Sequence, residues 1–379
     1  MKSIKLASGF AVSALALAIA GQATAQTQTS MSATGEIKFQ TIWDIENSQY
    51  YHSFDDRTPD NEGIFNVTIN VKNGPFSGDV ILGEDEGEVA IQVDNLQVNE
   101  GPISFGDIGR VTESASLYEG LVAETKLGDK DEDTRFGVDY GFRYTESSLG
   151  LSVQAESKFD SDSEEKSAGP QFFGLAAAIH QDLDVAEFWL DGQYRLATDT
   201  DGMANEATYN VGVALKATPV DQVTLTGVYR LVNDGDARGV YAAKLEVQAT
   251  NEVSLYGLVL DTDAATADNT IVVRGGLTAS VAPFVVEAGY EANFATLSAG
   301  LIFTKATWTD GPLSAFVGLD YNLAEFSDTD VEAGFKASAG GDFTTASGIV
   351  YGAEYTYAVE KFWDSGVKNE IELFASYSF

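Results

Sequence analysis

Asn369–Phe379 reads N-E-I-E-L-F-A-S-Y-S-F. Ile371, Leu373, Ala375, Tyr377 and Phe379 share one parity, and Glu370, Glu372, Ser376 and Ser378 share the other. Successive side chains of a β-strand point to opposite faces, so this segment is a strand with one apolar and one wet face. Its apolar face ends in two aromatics, the pattern of a strand whose outside meets lipid and whose end sits at the headgroup level. The alternative is a terminal strand of a soluble β-sandwich.

The opposite end of the chain favours the membrane. Lys2 and Lys5 precede an apolar run from Leu6 to Ala20, and Ala23-Thr24-Ala25 follows as a small-x-small cleavage pattern. Residues 1–25 therefore read as a secretory signal peptide and residues 26–379 as one domain. Beyond residue 25 no stretch approaches the roughly 18 apolar residues of a spanning helix. A chain of this kind can cross a bilayer only as a closed barrel, because every backbone polar group there needs a partner.

Composition narrows the class further. The 379 residues include no cysteine, which removes disulfides and thiolate metal sites. The formal net charge is −36, and loss of Lys2 and Lys5 makes the remainder more acidic still. Such a chain repels phosphate backbones, which argues against nucleic-acid partners, and it favours cations as partners or permeants. Solubility in a saline habitat accounts equally well for most individual carboxylates.

Period-2 runs recur along the whole domain. Ile37, Phe39, Thr41 and Trp43 alternate with Glu36, Lys38, Gln40 and Asp44 within Gly35–Asp44. Phe65, Val67, Ile69 and Val71 alternate with Asn66, Thr68, Asn70 and Lys72 within Gly63–Asn73, and Val89, Ile91 and Val93 with Glu88, Gln92 and Asp94. Arg135–Thr145 is the cleanest, with Phe136, Val138, Tyr140, Phe142 and Tyr144 on one face. Short turns at Asn73-Gly74, Asn99-Glu100-Gly101, Ser147-Ser148, Ala282-Pro283 and Asp310-Gly311-Pro312 alternate with longer polar stretches such as 45–61, 109–133 and 358–368. The fold class expected is all-β: a transmembrane antiparallel β-barrel of about 16–20 strands, wide enough for an aqueous lumen.

Two stretches carry a resemblance. Gly101-Pro102-Ile103-Ser104-Phe105-Gly106-Asp107 and the following E-S-A-S-L-Y-E-G of residues 113–120 resemble the general diffusion porins, especially the alphaproteobacterial type. The strand ending at Phe379 resembles the assembly signal of bacterial outer-membrane barrels. The resemblance implies a passive, water-filled channel in the outer membrane of a Gram-negative bacterium. It also implies a homotrimer, contact with lipid and lipopolysaccharide, and insertion by the barrel-assembly machinery through the last strand. In that family sixteen strands are usual, and the loop after strand five folds into the pore.

An inward loop makes an eyelet whose charges set selectivity. Asp107, Glu113, Glu119 and Glu124 are its acidic candidates and Arg110 its local cation. On the wall, Lys38, Lys72, Asp94, Arg135 and Arg143 lie on wet parities, with Arg195, Arg230, Lys244 and Arg274 farther along. Solvated external positions are the alternative for each carboxylate. Among wet-parity aromatics, Trp189 reads as a girdle residue, with a sugar slide as the other option.

No resident cofactor is expected. Asp-x-Asp pairs, among them Asp129, Asp131 and Asp133 and then Asp160 and Asp162, offer hard oxygens suited to loop-bound calcium or magnesium. None completes a calcium-loop motif, and solvated acidic loops explain them as well. A barrel enzyme would need an activated nucleophile. His52 and His180 are the only histidines and neither accompanies a G-x-S-x-G elbow, so no enzymatic activity is expected.

Overall fold

The computed structural model describes residues 29–52, 64–85, 88–125, 140–159, 170–197, 207–233, 237–261, 271–323, 334–359 and 368–379. The chain opens with β1 (Thr29–Asp44), β2 (Gln49–His52), β3 (Ile64–Asn73), β4 (Phe76–Asp85), β5 (Glu88–Glu100) and β6 (Ile103–Gly106). One helix, α1 (Glu113–Ala123), follows. Next come β7 (Tyr140–Glu146), β8 (Leu151–Phe159), β9 (Pro170–Leu183), β10 (Ala186–Ala197), β11 (Ala207–Val220), β12 (Val223–Asn233) and β13 (Ala237–Gln248). The series ends with β14 (Val253–Asp261), β15 (Ile271–Val281), β16 (Phe284–Asn293), β17 (Leu301–Asp310), β18 (Leu313–Asn322), β19 (Phe335–Thr344), β20 (Ile349–Ala358) and β21 (Lys368–Ser378).

From β3 onward each strand pairs antiparallel with the next, and β1 pairs with β21 to close the ring, Ile37 opposite Tyr377 and Trp43 opposite Ile371. Both β2 and β3 pair with β1, Thr41 opposite His52 and Lys38 opposite Ile64, so together they fill one place. The result is a closed 20-strand barrel, at the upper end of the expected range and above the sixteen that the resemblance implied.

The alternation read from sequence becomes an outside and an inside. On β12, Leu225 and Tyr229 are exposed outside while Val228, Arg230 and Val232 are buried inside. On β21, Leu373, Tyr377 and Phe379 are exposed and Glu372 pairs inward with Lys38 at 2.7 Å. Among the described residues no helix is long and apolar enough to cross a membrane.

Boundaries moved in places. β1 begins at Thr29, six residues earlier than its sequence pattern, because Thr29–Lys38 pairs in unbroken register with β3. The stretch 45–61, expected as one long loop, instead starts with a tight hairpin. Asp44 holds it, its carboxylate accepting the Asn47 amide at 3.0 Å and the Asn47 side chain at 2.7 Å. Ser48 takes the left-handed conformation there (φ 52°).

Candidate pore constriction

After β6 the chain leaves the wall. Gly106 sits at φ 115°, and a Cβ there would lie under 3.0 Å from the Leu96 carbonyl, so this exit requires glycine. Asp107 ties the exit back to β5 by accepting the Asn95 amide at 3.1 Å. From β7, Arg143 Nη2 donates to the carbonyls of Ile108 (2.8 Å) and Gly109 (3.0 Å), while Gln154 of β8 donates to Gly109 at 3.0 Å. The inward segment is thus held by side-chain donors from the wall.

α1 then docks by one face. Its buried residues are Ser114, Ala115, Tyr118, Leu121 and Val122, spaced as one stripe of a 3.6-residue helix. Tyr118, Leu121 and Val122 pack on the inner-wall residues Trp189, Ala214, Val228, Val240, Ala242, Leu258, Leu260 and Val272, which span β10 to β15. The Tyr118 hydroxyl donates to the Asp261 carbonyl at 2.6 Å. The barrel core is therefore off-centre, a seam between α1 and one arc of the wall.

A buried polar latch completes the dock. Thr112, at the N-cap position, makes no side-chain capping bond. Asp191 of β10 does so in its place, its Oδ2 accepting the Ser114 amide at 2.7 Å. The Asp191 Oδ1 pairs with Arg230 Nη1 at 2.8 Å, and Arg230 also donates to Ser114 Oγ and, at 2.9 Å, to Asn210 Oδ1. From Asn210 the chain of bonds runs through Gln193 (2.8 Å) to Glu156 (3.1 Å), which also accepts from Arg195 (3.2 Å) and Gln154 (3.0 Å). Buried charges persist only when paired, and here Arg230 meets Asp191 and Arg195 meets Glu156. Gly212 leaves room for it: a Cβ there would meet both Ser114 Oγ and Arg230 Nη1.

The two ends of α1 border cavities. Arg110, Thr112, Glu113 and Ser116 line one of about 380 Å³. Glu124, Lys244, Glu246, Tyr256, Arg274 and Glu287 line another of about 370 Å³ at the opposite end. Lys244 bridges Glu124 (2.8 Å) and Glu246 (3.0 Å). Arg274 pairs with Glu291 (2.9 Å) and Glu287 (3.4 Å) and accepts no other role as a loose cation, since its guanidinium also lies 4.0 Å from the Phe303 ring centroid.

Against this geometry the sequence candidates divide. Arg110, Glu113, Glu119 and Glu124 all sit on the inward segment; Glu113 accepts from Trp189 Nε1 at 3.0 Å, Glu124 pairs with Lys244, and Glu119 is half-buried on α1. Asp107 serves the β5–β6 exit. Lys38 pairs with Glu372, and Lys72 stands beside the β3–β4 turn. Asp94 lies opposite Asp79 in the β4–β5 ladder, its side chain outside the described set. Arg135, Asp129, Asp131, Asp133, Asp160 and Asp162 fall outside the described residues. Among the described residues no group of three or more metal-ligating side chains could hold an ion.

Trp189 corrects its sequence reading. It is 7% exposed, packed under α1 and stacked on His180 at 5.0 Å, neither in a girdle nor on a slide. Its wet parity was a sign of burial beneath the helix. Asp191, Arg230 and Ser114 were not assembled by sequence reasoning, although the spacing Ala115, Tyr118, Leu121 and Val122 carried the helical signal that would have brought them together.

Solved structures share this architecture. Pseudomonas aeruginosa OccK5 (OpdH) superposes with a TM-score of 0.50 at 10% identity, over 92% of this chain and 98% of that one. The fold is that of the outer-membrane porin barrels. Pseudomonas aeruginosa OprD aligns at TM-score 0.46 and 8% identity, over 92% of this chain and 95% of that one. A Rh. blastica porin mutant aligns at 0.45 and 11%, over 92% of this barrel and 100% of the other. No protein-family model and no curated protein matches the sequence.

Proposed function

We propose that this barrel is a passive, water-filled channel for small hydrophilic solutes and ions in the outer membrane, with a preference for cations. The observation that carries the reading is the placement of α1. Its apolar face is spent on one arc of the wall, so it narrows the lumen without being a plug that fills it. The bases nearest it, Arg230, Lys244 and Arg274, are each neutralised by a carboxylate within 3.0 Å. Lys244 and Arg274 are shared among four carboxylates, Glu124, Glu246, Glu287 and Glu291, so this stretch carries net negative charge, with Glu246 and Glu287 each at least 40% exposed in a medium less polarisable than bulk water.

Trimer assembly, lipopolysaccharide contact and insertion through β21 belong to the same reading, supported by the band of outward apolar side chains. Export by residues 1–25 and divalent ions bridging the Asp-rich stretches belong to it as well; calcium dialysis that shows no retention at physiological salt removes the latter. The reversal potential of the refolded protein in a planar bilayer under a potassium chloride gradient tests the whole. Stepwise conductance with a cation-selective potential is expected. A folded barrel that passes no current overturns it.

A further inference from the structure

Phe374 breaks the alternation of β21. It stands on the wet parity with Glu370, Glu372 and Ser376 and is nevertheless aromatic. Directly across the strand pair lies Gly352. A Cβ built on Gly352 would lie under 3.0 Å from three ring atoms of Phe374, and no backbone atom is among those neighbours. The ring therefore lies flat over the glycine, along the wall. Lys38 Nζ sits over the same ring, 5.3 Å from its centroid, while pairing with Glu372.

The same three-part unit recurs on the neighbouring wall. Phe316 faces Gly340 across β18–β19 and lies under Lys305 at 4.9 Å. Phe303 faces Gly289 across β16–β17 and lies under Arg274 at 4.0 Å. Tyr256 faces Gly276 across β14–β15 and lies under Arg274 at 5.7 Å and Lys244 at 5.8 Å. At each of these glycines a Cβ would come under 3.0 Å from a ring atom. Aromatic cover of a cross-strand glycine is a known stabilising arrangement in sheets, and a cation over a ring face is held by the ring's quadrupole. Here four independent strand pairs combine both on the inner surface.

We propose that Gly276, Gly289, Gly340 and Gly352 determine the width of the lumen and its charge selectivity. They seat four inward rings flat against the wall, and those rings hold Lys38, Lys244, Arg274 and Lys305 close to it. Permeating cations then meet the carboxylates ahead of the bases. This rests on the reading of the barrel as an open channel. A side chain on any of these glycines forces its ring off the wall and into the passage, and releases the base above it.

Gly352 gives the sharpest test, since only the Phe374 ring must move. Single-channel conductance and reversal potential in potassium chloride are measured for the native chain, Gly352→Ala, Phe374→Ala and the double variant, each checked for a heat-modifiable folded band. Acylation of Lys38 by a small water-soluble reagent, followed by mass spectrometry, reports the ring seat without reference to conduction. Gly352→Ala is expected to conduct less than the native chain, and the double variant to regain that loss. Phe374→Ala is expected to acylate several-fold faster at Lys38 and to shift the reversal potential toward anions.

Native conductance in Gly352→Ala, or no recovery in the double variant, overturns the proposal. If Gly352→Ala yields no folded barrel, Phe374→Ala decides alone: unchanged acylation and potential overturn it. A native chain that never conducts removes the channel reading, while the acylation comparison still judges the ring seat.

Discussion

Asp191 of the wall caps the first turn of α1: its Oδ2 accepts the Ser114 amide at 2.7 Å across 77 positions of sequence. An 11-residue helix is marginal on its own in water. Its cap, the wall that covers its apolar face and the partner of its Ser114 hydroxyl all come from β10 to β15. Helix formation and docking are therefore one event, and the constriction is ordered by the wall it narrows.

Asp191→Ala removes the cap and strips Arg230, which is fully buried, of its carboxylate partner. Breaking one side of a buried pair costs about 3–5 kcal/mol. Amide exchange of residues 113–123 should lose protection while the strand amides keep theirs. Retained protection on α1 would show that the cap is dispensable.

Tyr118 is fully buried and its hydroxyl meets the Asp261 carbonyl at 2.6 Å. Tyr118→Phe should cost about 1 kcal/mol, the net worth of a hydrogen bond. Tyr118→Ala should cost about 3–5 kcal/mol through the cavity it leaves. Denaturant midpoints of the folded band measure both, and equal losses would mean that packing under α1 contributes little.

Glu124 and Lys244 form a pair with the carboxylate 39% exposed. Glu124→Gln removes one negative charge and loosens a base that had been held. Cation preference should fall, and Glu124→Gln with Lys244→Met should recover most of it. A reversal potential that ignores Glu124→Gln places this pair outside the ion path.

Arg274 and Glu291 test the buried part of the wall. Glu291 is fully buried and Arg274 lies 2.9 Å away. Arg274→Met should destabilise by about 3–5 kcal/mol because Glu291 stays behind, and adding Glu291→Met should return much of that loss. Additive effects in the cycle would argue that the two do not depend on each other.

Much of this architecture was legible in the residues. A period of two along most of the chain specified strands, their faces and the barrel, because strand side chains must alternate between lipid and lumen. The inward turn after β6 was legible through its words at residues 101–107 and 113–120. What escaped was anything that depends on who lies across the lumen. Trp189 and Phe374 share wet parities, and the sequence shows no reason for either. The first is covered by α1 and the second by lying on Gly352, partners set by register and by a docked helix, which one strand cannot display. Arg230 read as one more wet-parity wall base for the same reason. Of the wet-parity bases, Lys38, Arg195, Arg230, Lys244 and Arg274 each sit beside a carboxylate, a partner chosen across strands and so invisible in any one of them.

The pairing of β1 with β21 also sets the order in which the barrel can come into being. The other ladders join strands close together along the chain, whereas Trp43 meets Ile371 across almost its full length. Bringing such distant segments together demands the largest loop closure in the molecule. Until that happens, both strands offer unpaired backbone to any passing edge. The ring thus has a last stitch, and the time the chain spends before making it is the time during which it is most exposed to misassembly.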